Sequence, residues 1–414
     1  ARGQPNAHEH IDRISIRQTN AGAAMSQQGN INMTSPLRIV LASGGTGGHL
    51  FPASALAEEL KAQGHEVMLA SDKRGMAYQN KLTAMPIYCV PAATVYSGGL
   101  FALPARILTL LWSIVYSLVL MLRLRPAIII GFGGYPSFGP VMAGLLMRKP
   151  VLVHEQNAVL GRANRLAVKL GASLATSFPN TAGVPARAAA RMRKTGNPLR
   201  ADVLSTTQIS YRSPTRSQSF DLLVFGGSQG AQIFSTVVPE AIALLPENKR
   251  KDLHLVQQVS KDHMADVLNT YGEMKVSSEI RDFFDDMPRR LRHAHLVICR
   301  GGASTISEIC ALGVPSIIVP LPGSLDQDQA NNARDLAATG AAELILQKQF
   351  NAEDLADLLN KWLDDKARFE TMSANARRLA EPEAAVRLAR YAYCLAQHLP
   401  IQIDQPSSSL QGGR

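Results

Sequence analysis

Three times in this chain a short apolar run ends in a cluster of glycines and resumes as a helix-like segment. Leu37-Arg-Ile-Val-Leu-Ala42 leads into Gly44-Gly-Thr-Gly-Gly-His49, Asp221-Leu-Leu-Val-Phe225 into Gly226-Gly-Ser-Gln-Gly230, and His295-Leu-Val-Ile298 into Cys299-Arg-Gly-Gly-Ala-Ser-Thr-Ile-Ser-Glu308. A buried strand that turns on glycines into a helix is one βα unit, and its recurrence predicts an α/β fold with parallel sheets wrapped by helices. Such a turn aims free backbone N–H groups and the positive helix end at one point, which suits a phosphate. Glu308, about one turn into its helix, is placed to accept two hydroxyl protons from a ribose. One such turn alone would read equally well as an ordinary βα connection; three point to a ligand. None carries the Gly-x-Gly-x-x-Gly register of a dinucleotide site or the Gly-Lys-Ser/Thr of a P-loop, which argues against NAD chemistry and ATP hydrolysis.

In chain order, residues 1–35 are polar and unpatterned and are expected to be a disordered tail; they lack the apolar core of a signal peptide. A first domain is expected over 36–200, with a helix from Pro52 to Gln63 and strands near 66–70, 86–90, 127–130 and 151–153. In open parallel sheets ligands gather at the carboxyl ends of strands, so Tyr135, Glu155 and Asn157 should face one crevice with the first glycine turn. The Ser-, Thr- and Pro-containing stretch from Gly196 to Ser219 reads as a linker. A second domain over 201–398 repeats the plan, with strands near 221–225, 253–258, 275–279, 296–299, 316–319 and 342–345, and its last helices are expected to return to the first domain. Residues 399–414 read as a tail.

Charge is distributed unevenly. Residues 101–200 hold 13 Lys and Arg against a single acid, Glu155, while the rest of the chain is nearly balanced. A positive field of this kind implies an acidic partner, a pyrophosphate or anionic lipid headgroups, and no nucleic-acid motif accompanies it. Inside it lie 16 uncharged residues, Ile107 to Leu122, flanked by Arg106, Arg123 and Arg125. That run is short for a bilayer. A helix over 104–125 that is half in the core and half against an anionic membrane surface explains it better than a plain core helix or a membrane span. The four cysteines show no close pairing and indicate neither zinc nor a disulfide framework.

Seven ordered motifs sharpen the reading: Gly-Gly-Thr-Gly-Gly-His (44–49), Gly-Gly-Tyr (133–135), His-Glu-Gln-Asn (154–157), Gly-Asn-Pro-Leu-Arg (196–200), Gly-Gly-Ser-Gln-Gly-Ala (226–231), Phe-Asp-Asp-Met (284–287) and Arg-Gly-Gly-Ala-Ser-Thr-Ile-Ser-Glu (300–308). In order and spacing they resemble the bacterial peptidoglycan N-acetylglucosaminyltransferases of the two-domain GT-B architecture, over roughly residues 37–380. The resemblance implies two Rossmann-like domains facing across a cleft. It also implies transfer of N-acetylglucosamine from UDP-N-acetylglucosamine to the 4-hydroxyl of the muramoyl sugar of lipid I, the undecaprenyl-pyrophosphoryl-muramoyl-pentapeptide, at the cytoplasmic face of the inner membrane. Donor contacts then fall on Thr46, Gly47, Gly48, Asn157, Arg200, Ser228, Phe284, Ala303, Ser304, Thr305, Ile306, Ser307, Glu308 and Gln329, with Glu308 on the ribose and the backbone near Phe284 on the uracil. The acceptor falls against His49, Tyr135 and Glu155. Two departures stand out: Asp328-Gln329 replaces the family's paired glutamines, and Ser235 stands where the family has an asparagine.

Inverting transfer needs a base for the incoming hydroxyl, in-line placement and stabilisation of the departing diphosphate. His49 is the expected base, histidine being the usual general base near neutral pH, with Glu155 as its rival and a merely positioning His49 as the alternative. No cofactor is expected and a divalent metal is not expected to be essential; Asp326 and Asp328 could be imagined as a metal pair, but an Asp at a helix start is more often an N-cap. Two other functions fit the architecture: an epimerase acting on UDP-N-acetylglucosamine, which would need several acid-base groups and no lipid surface, and a non-catalytic nucleotide-sugar-binding protein.

Overall fold

The computed structural model describes residues 35–77, 85–92, 103–215, 219–227, 230–324 and 327–400. The expected tails, Ser228 and Asp326 lie outside these residues, apart from Ser35, Leu399 and Pro400. The first sheet is wholly parallel: β1 Arg38–Ala42, β2 Glu66–Ser71, β3 Ile87–Cys89, β4 Ile128–Gly131, β5 Val151–Glu155, β6 Ser173–Thr176 and β7 Met192–Lys194, in the order β3-β2-β1-β4-β5-β6-β7. Its helices are α1 Gly47–Ala62, α2 Lys73–Met76, α3 Leu103–Leu124, α4 Tyr135–Leu146 and α5 Arg162–Lys169. The second sheet, also parallel, comprises β8 Phe220–Phe225, β9 Leu253–Gln258, β10 Ser277–Arg281, β11 Leu296–Cys299, β12 Ser316–Ile318 and β13 Ala342–Leu344, in the order β10-β9-β8-β11-β12-β13. With it run α6 Ala201–Leu204, α7 Gln232–Leu244, α8 Glu247–Lys251, α9 Met264–Glu273, α10 Met287–His293, α11 Ala303–Leu312, α12 Asp328–Ala338, α13 Ala352–Trp362, α14 Lys366–Arg378 and α15 Ala384–Ala396.

Strand order reverses between β1 and β4 in the first sheet and between β8 and β11 in the second. At such a reversal the two flanking connections leave in opposite directions and open a crevice at the carboxyl end of the strands. The glycine turns sit at these two places. The consecutive apolar residues of β4 and β11 are buried on both faces, as parallel strands covered by helices require. Strands β6 and β7 went unread because Ser173, Thr176, Arg193 and Lys194 carry little apolar signal toward the edge of the sheet. Helix α1 begins at Gly47, five residues before the expected Pro52, which lies inside it.

The two domains share a seam. Ala158 and Phe178, from loops of the first sheet, join the cluster formed by Leu199, Val203, Val297 and Ile309 of the second. Asn332 of α12, fully buried, donates from Nδ2 to Asn157 Oδ1 and to Gly301 O at 3.0 Å each, and its Oδ1 accepts from Ala158 N at 2.7 Å. Helix α15 then packs back on α1: Tyr391 donates from its hydroxyl to Arg191 O at 2.7 Å, the Tyr393 and His65 rings stack at 5.8 Å, and Arg387 donates to Thr195 O at 3.0 Å.

Helix α3 is inverted relative to an ordinary surface helix. It turns Ser113 and Ser117 inward onto Gly139 of α4, where a side chain would collide with Ser113 Oγ at 2.3 Å. Leu120 and Met121 anchor its end in the core. Leu108, Leu111, Trp112, Val115, Val119 and Leu122 are exposed, Leu108 by 67%. The helix is 22 residues long, so length does not limit it to less than a bilayer as the uncharged run alone had suggested.

Candidate active site

The crevices at the two strand reversals open into one cavity of about 720 Å³, lined by both domains. From the first domain come Gly47, Gly48, His49, Phe51, Gln156 and Asn157; from the second, Phe284, Ala303, Ser304, Thr305 and Glu308, with Arg200 between. Ten residues expected from the sequence thus meet in one place: Gly47, Gly48, His49, Asn157, Arg200, Phe284, Ala303, Ser304, Thr305 and Glu308.

The backbone explains the first wall. β1 and β4 are neighbours, so the turns that follow them must pass each other, and they do so without side chains. Gly44 donates to Gly133 O at 3.0 Å, and a Cβ on Gly134, whose φ is +76°, would come within 2.9 Å of Gly44 Cα. Thr46 is the N-cap of α1, exposed and without a side-chain capping bond. The first N–H groups of a helix have no intrahelical carbonyl, which leaves Gly47 and Gly48 as donors on the cavity wall. His49 sits in the same turn, with Nδ1 3.3 Å from Gln156 Oε1.

The second wall is the start of α11. Gly302 caps it, and Ala303, Ser304 and Thr305 present the orphan N–H groups of its first turn. Ser304 Oγ is buried with no hydrogen-bond partner among the described residues. Gly301 permits α12 to lie close, since a Cβ there would meet Gln329 O at 2.4 Å. Glu308, 8% exposed, accepts from Arg200 Nε and Nη2 through one oxygen at 3.2 and 2.9 Å, and its other oxygen has no partner among the described residues. Burial pushes its carboxyl up, and the Arg200 charge pulls the other way. Arg200 is itself held over the Phe51 ring of the first domain, 4.8 Å from its centroid. Phe284 is clamped beneath the Arg290 guanidinium at 4.1 Å, and Arg290 is fixed by Glu279 and Asp286.

Other expected residues lie off the cavity lining. Glu155 is 2% exposed, and its carboxylate accepts four bonds, from Asn157 N and Nδ2 at 3.1 and 3.3 Å and from Gly161 N and Asn164 Nδ2 at 2.9 Å each. Burial raises its carboxyl and these bonds oppose the rise. Ile306 points into the core of the second domain, Ser307 Oγ accepts from Asn197 Nδ2 at 3.3 Å, and Gln329 Oε1 accepts from Leu321 N at 3.0 Å. Tyr135 opens α4 behind the first glycine turn. Asp328 is the first residue of α12, and the cap is Gln327. Ser235 is partly buried within α7.

Sequence reasoning passed over Gln156, Asn332, Phe51 and Gln258. Gln258 accepts from Gly226 N at 3.2 Å and so holds the turn after β8 to the end of β9. Gln156 directly follows β5, and its side chain bonds His154, two residues back, while the intervening Glu155 is bonded by Asn157, Gly161 and Asn164.

The glycosyltransferase family 28 N-terminal domain matches residues 39–176, and the family's C-terminal domain matches residues 221–388. A UDP-N-acetylglucosamine–N-acetylmuramyl-(pentapeptide) pyrophosphoryl-undecaprenol N-acetylglucosamine transferase of Rhodospirillum centenum is 44% identical over 351 residues, covering 85% of this chain and 92% of the relative. Among solved structures, Acinetobacter baumannii MurG superposes with a TM-score of 0.69 at 26% identity, over 86% of this chain and 99% of that one. A putative UDP-N-acetylglucosamine 2-epimerase of Listeria monocytogenes reaches a TM-score of 0.64 at 16% identity, over 88% of this chain and 98% of that one, a likeness of fold alone. On an identity sustained through both domains, this chain belongs to glycosyltransferase family 28, among its pyrophosphoryl-undecaprenol N-acetylglucosamine transferases.

Proposed function

We propose that the chain transfers N-acetylglucosamine, with inversion, from UDP-N-acetylglucosamine to the muramoyl 4-hydroxyl of lipid I, releasing UDP and lipid II. The observation that carries this is the single cavity in which His49 and the start of α1 from one domain meet Glu308 and the start of α11 from the other. The free oxygen of Glu308 holds the ribose, Phe284 borders the uracil, and the N–H groups of Ala303, Ser304 and Thr305 meet the diphosphate. Charge developing on the leaving diphosphate is then stabilised by backbone donors and the helix end, which needs no metal. His49 takes the proton of the incoming hydroxyl, that oxygen forms its bond to the anomeric carbon, and the bond to the diphosphate oxygen breaks with its electron pair leaving on UDP. Glu155, saturated by four N–H donors, holds the loop that carries Asn157 and is not the proton acceptor. Tyr135 and the glycine turns border the acceptor side.

The exposed stripe of α3 is read as the contact with the cytoplasmic face of the inner membrane. An apolar patch of this size on a surface helix marks an interaction face. Its inward residues are committed to α4 and the core, so the helix lies along the membrane without crossing it. Arg106, Arg123 and Arg125 meet anionic headgroups.

The deciding experiment follows UDP release from UDP-N-acetylglucosamine with and without a lipid I analogue, and weighs the product. Release that depends on the analogue, with one N-acetylhexosamine added to it, is the expected result. Release without acceptor, together with an altered free sugar, would place the chain with the epimerases instead.

A further inference from the structure

Behind His49 runs a chain of hydrogen bonds that the transfer chemistry above leaves unused. His49 Nδ1 lies 3.3 Å from Gln156 Oε1. The nitrogen end of the same carboxamide, Nε2, lies 3.0 Å from the Phe132 carbonyl oxygen and 3.2 Å from His154 Nδ1. His154 Nε2 lies 2.9 Å from the Gly196 carbonyl oxygen.

The two carbonyls at the far ends decide where each proton sits, because a carbonyl oxygen only accepts. Gly196 O requires an N–H at His154 Nε2. His154 is fully buried and burial lowers its pKa to about 4, so near neutrality it carries one proton and its Nδ1 is a lone pair. Phe132 O requires an amide N–H, which fixes the nitrogen end of Gln156 toward it and lets the second N–H of that amide reach His154 Nδ1. The oxygen of Gln156 is thereby turned to His49, and only an N–H at His49 Nδ1 can meet it. A neutral imidazole has one such proton. Nε2 of His49 then holds a lone pair, and this atom makes no protein hydrogen bond among the described residues. The ring also lies close against the Gly133–Gly134 turn, since a Cβ on Gly133 would come within 3.4 Å of His49 Cε1 and one on Gly134 within 3.3 Å of His49 Cδ2.

We infer that Gln156, itself oriented by Phe132 and His154, is a positioning residue that locks His49 in the tautomer protonated at Nδ1, leaving the Nε2 lone pair for the cavity. The use made of that lone pair rests on the transfer reading above; the tautomer follows from the hydrogen bonds alone. A histidine side chain free in water favours the opposite tautomer, which would meet an incoming hydroxyl with a donor where a base is needed. Many enzymes hold a catalytic histidine with a carboxylate. Here an uncharged amide does the same, and its orientation is borrowed from two main-chain carbonyls, one of them at the crossing into the second domain.

The test is the two-bond ¹H–¹⁵N spectrum of the full chain with its ten histidines ¹⁵N-labelled, at neutral pH, with His49 assigned from the signal lost in His49→Asn. The expected spectrum has His49 protonated at Nδ1 and bare at Nε2. In Gln156→Met the signal moves toward the Nε2-protonated form, and kcat falls at least about tenfold while KM for UDP-N-acetylglucosamine shifts less than about twofold. Wild-type His49 protonated at Nε2 would overturn the inference, as would Gln156→Met with an unaltered His49 tautomer. If Gln156→Met fails to fold, the wild-type spectrum decides by itself. An Nδ1-protonated His49 in a chain whose His49→Ala variant turns over normally would uphold the tautomer and remove histidine from the transfer chemistry, so the two readings fail separately.

Discussion

The turn after β1 and the turn after β11 are built alike, yet they offer different things to a substrate. Each follows a buried parallel strand at a reversal of strand order and opens a helix on glycine. The first places polar side chains on the cavity: His49, backed by Gln156 and His154, beside the buried Glu155. The second places mostly main-chain donors, with Glu308 and Arg200 as its charged pair. On the function proposed above, the same local geometry serves proton handling in one domain and anion binding in the other. What distinguishes them is whether a polar network stands behind the turn.

If that contrast is right, damage to the first turn should show in kcat and damage to the second in KM. The largest effect is expected from His49→Ala, a loss of about 10²- to 10⁴-fold in kcat with donor KM nearly unchanged, read in steady-state assays. Next comes a pH effect in which a buried histidine of the first domain, His154, has a part. The His154 pKa is lowered from 6.5 to about 4 by burial, so folded and unfolded states bind protons equally above pH 6.5. Between these values the unfolded state binds more, so stability falls on acidification. The His154 share is about 3 kcal/mol at most. Urea titrations from neutral pH down to 4 should show the slope, and His154→Phe should reduce it, leaving the share of His65 and His295, which burial lowers too. Smaller again is Glu308→Gln, which keeps the shape of the second turn and removes a charged acceptor. We expect donor KM to rise about tenfold with kcat little altered, and an equal fall in kcat instead would mean that the division between the turns is wrong. Smallest is the surface pair Leu108→Lys with Leu111→Lys, expected to weaken binding to anionic vesicles about tenfold and leave turnover of a short-chain acceptor intact. Leu118, partly buried against the core of the first domain, is a poor site for that test.

Legibility in the sequence followed the range of the interactions. Strands such as 253–258 and 296–299 could be placed to the residue because a run of apolar side chains is a local signal. The glycine turns and the charge of Glu308 were legible for the same reason. Glu155 illustrates the opposite case: as the lone acid in a basic stretch it invited a chemical role, and only the fold shows four N–H groups closing on it. Gln156 and Asn332 escaped notice because their partners lie 107 and 175 residues away, at His49 and Asn157. No spacing rule reaches that far. The inverted face of α3 was half legible: the apolar run was plain, but which side of it is buried depended on Ser113 and Ser117 meeting Gly139.

The return of α15 onto α1 has a consequence for how the chain is made. Synthesis runs from the amino end to the carboxyl end, so the helix that covers α1 leaves the ribosome only after every strand of the second sheet. Tyr391 and Leu388, both fully buried in the finished protein, do not exist while the strands of the second sheet are being translated. The first domain must therefore wait, its α1 without this cover, until the second sheet has emerged. A nascent chain of this architecture is exposed to aggregation for as long as that takes. A stop codon ahead of Ala384 would leave the second sheet whole and the first domain unfinished.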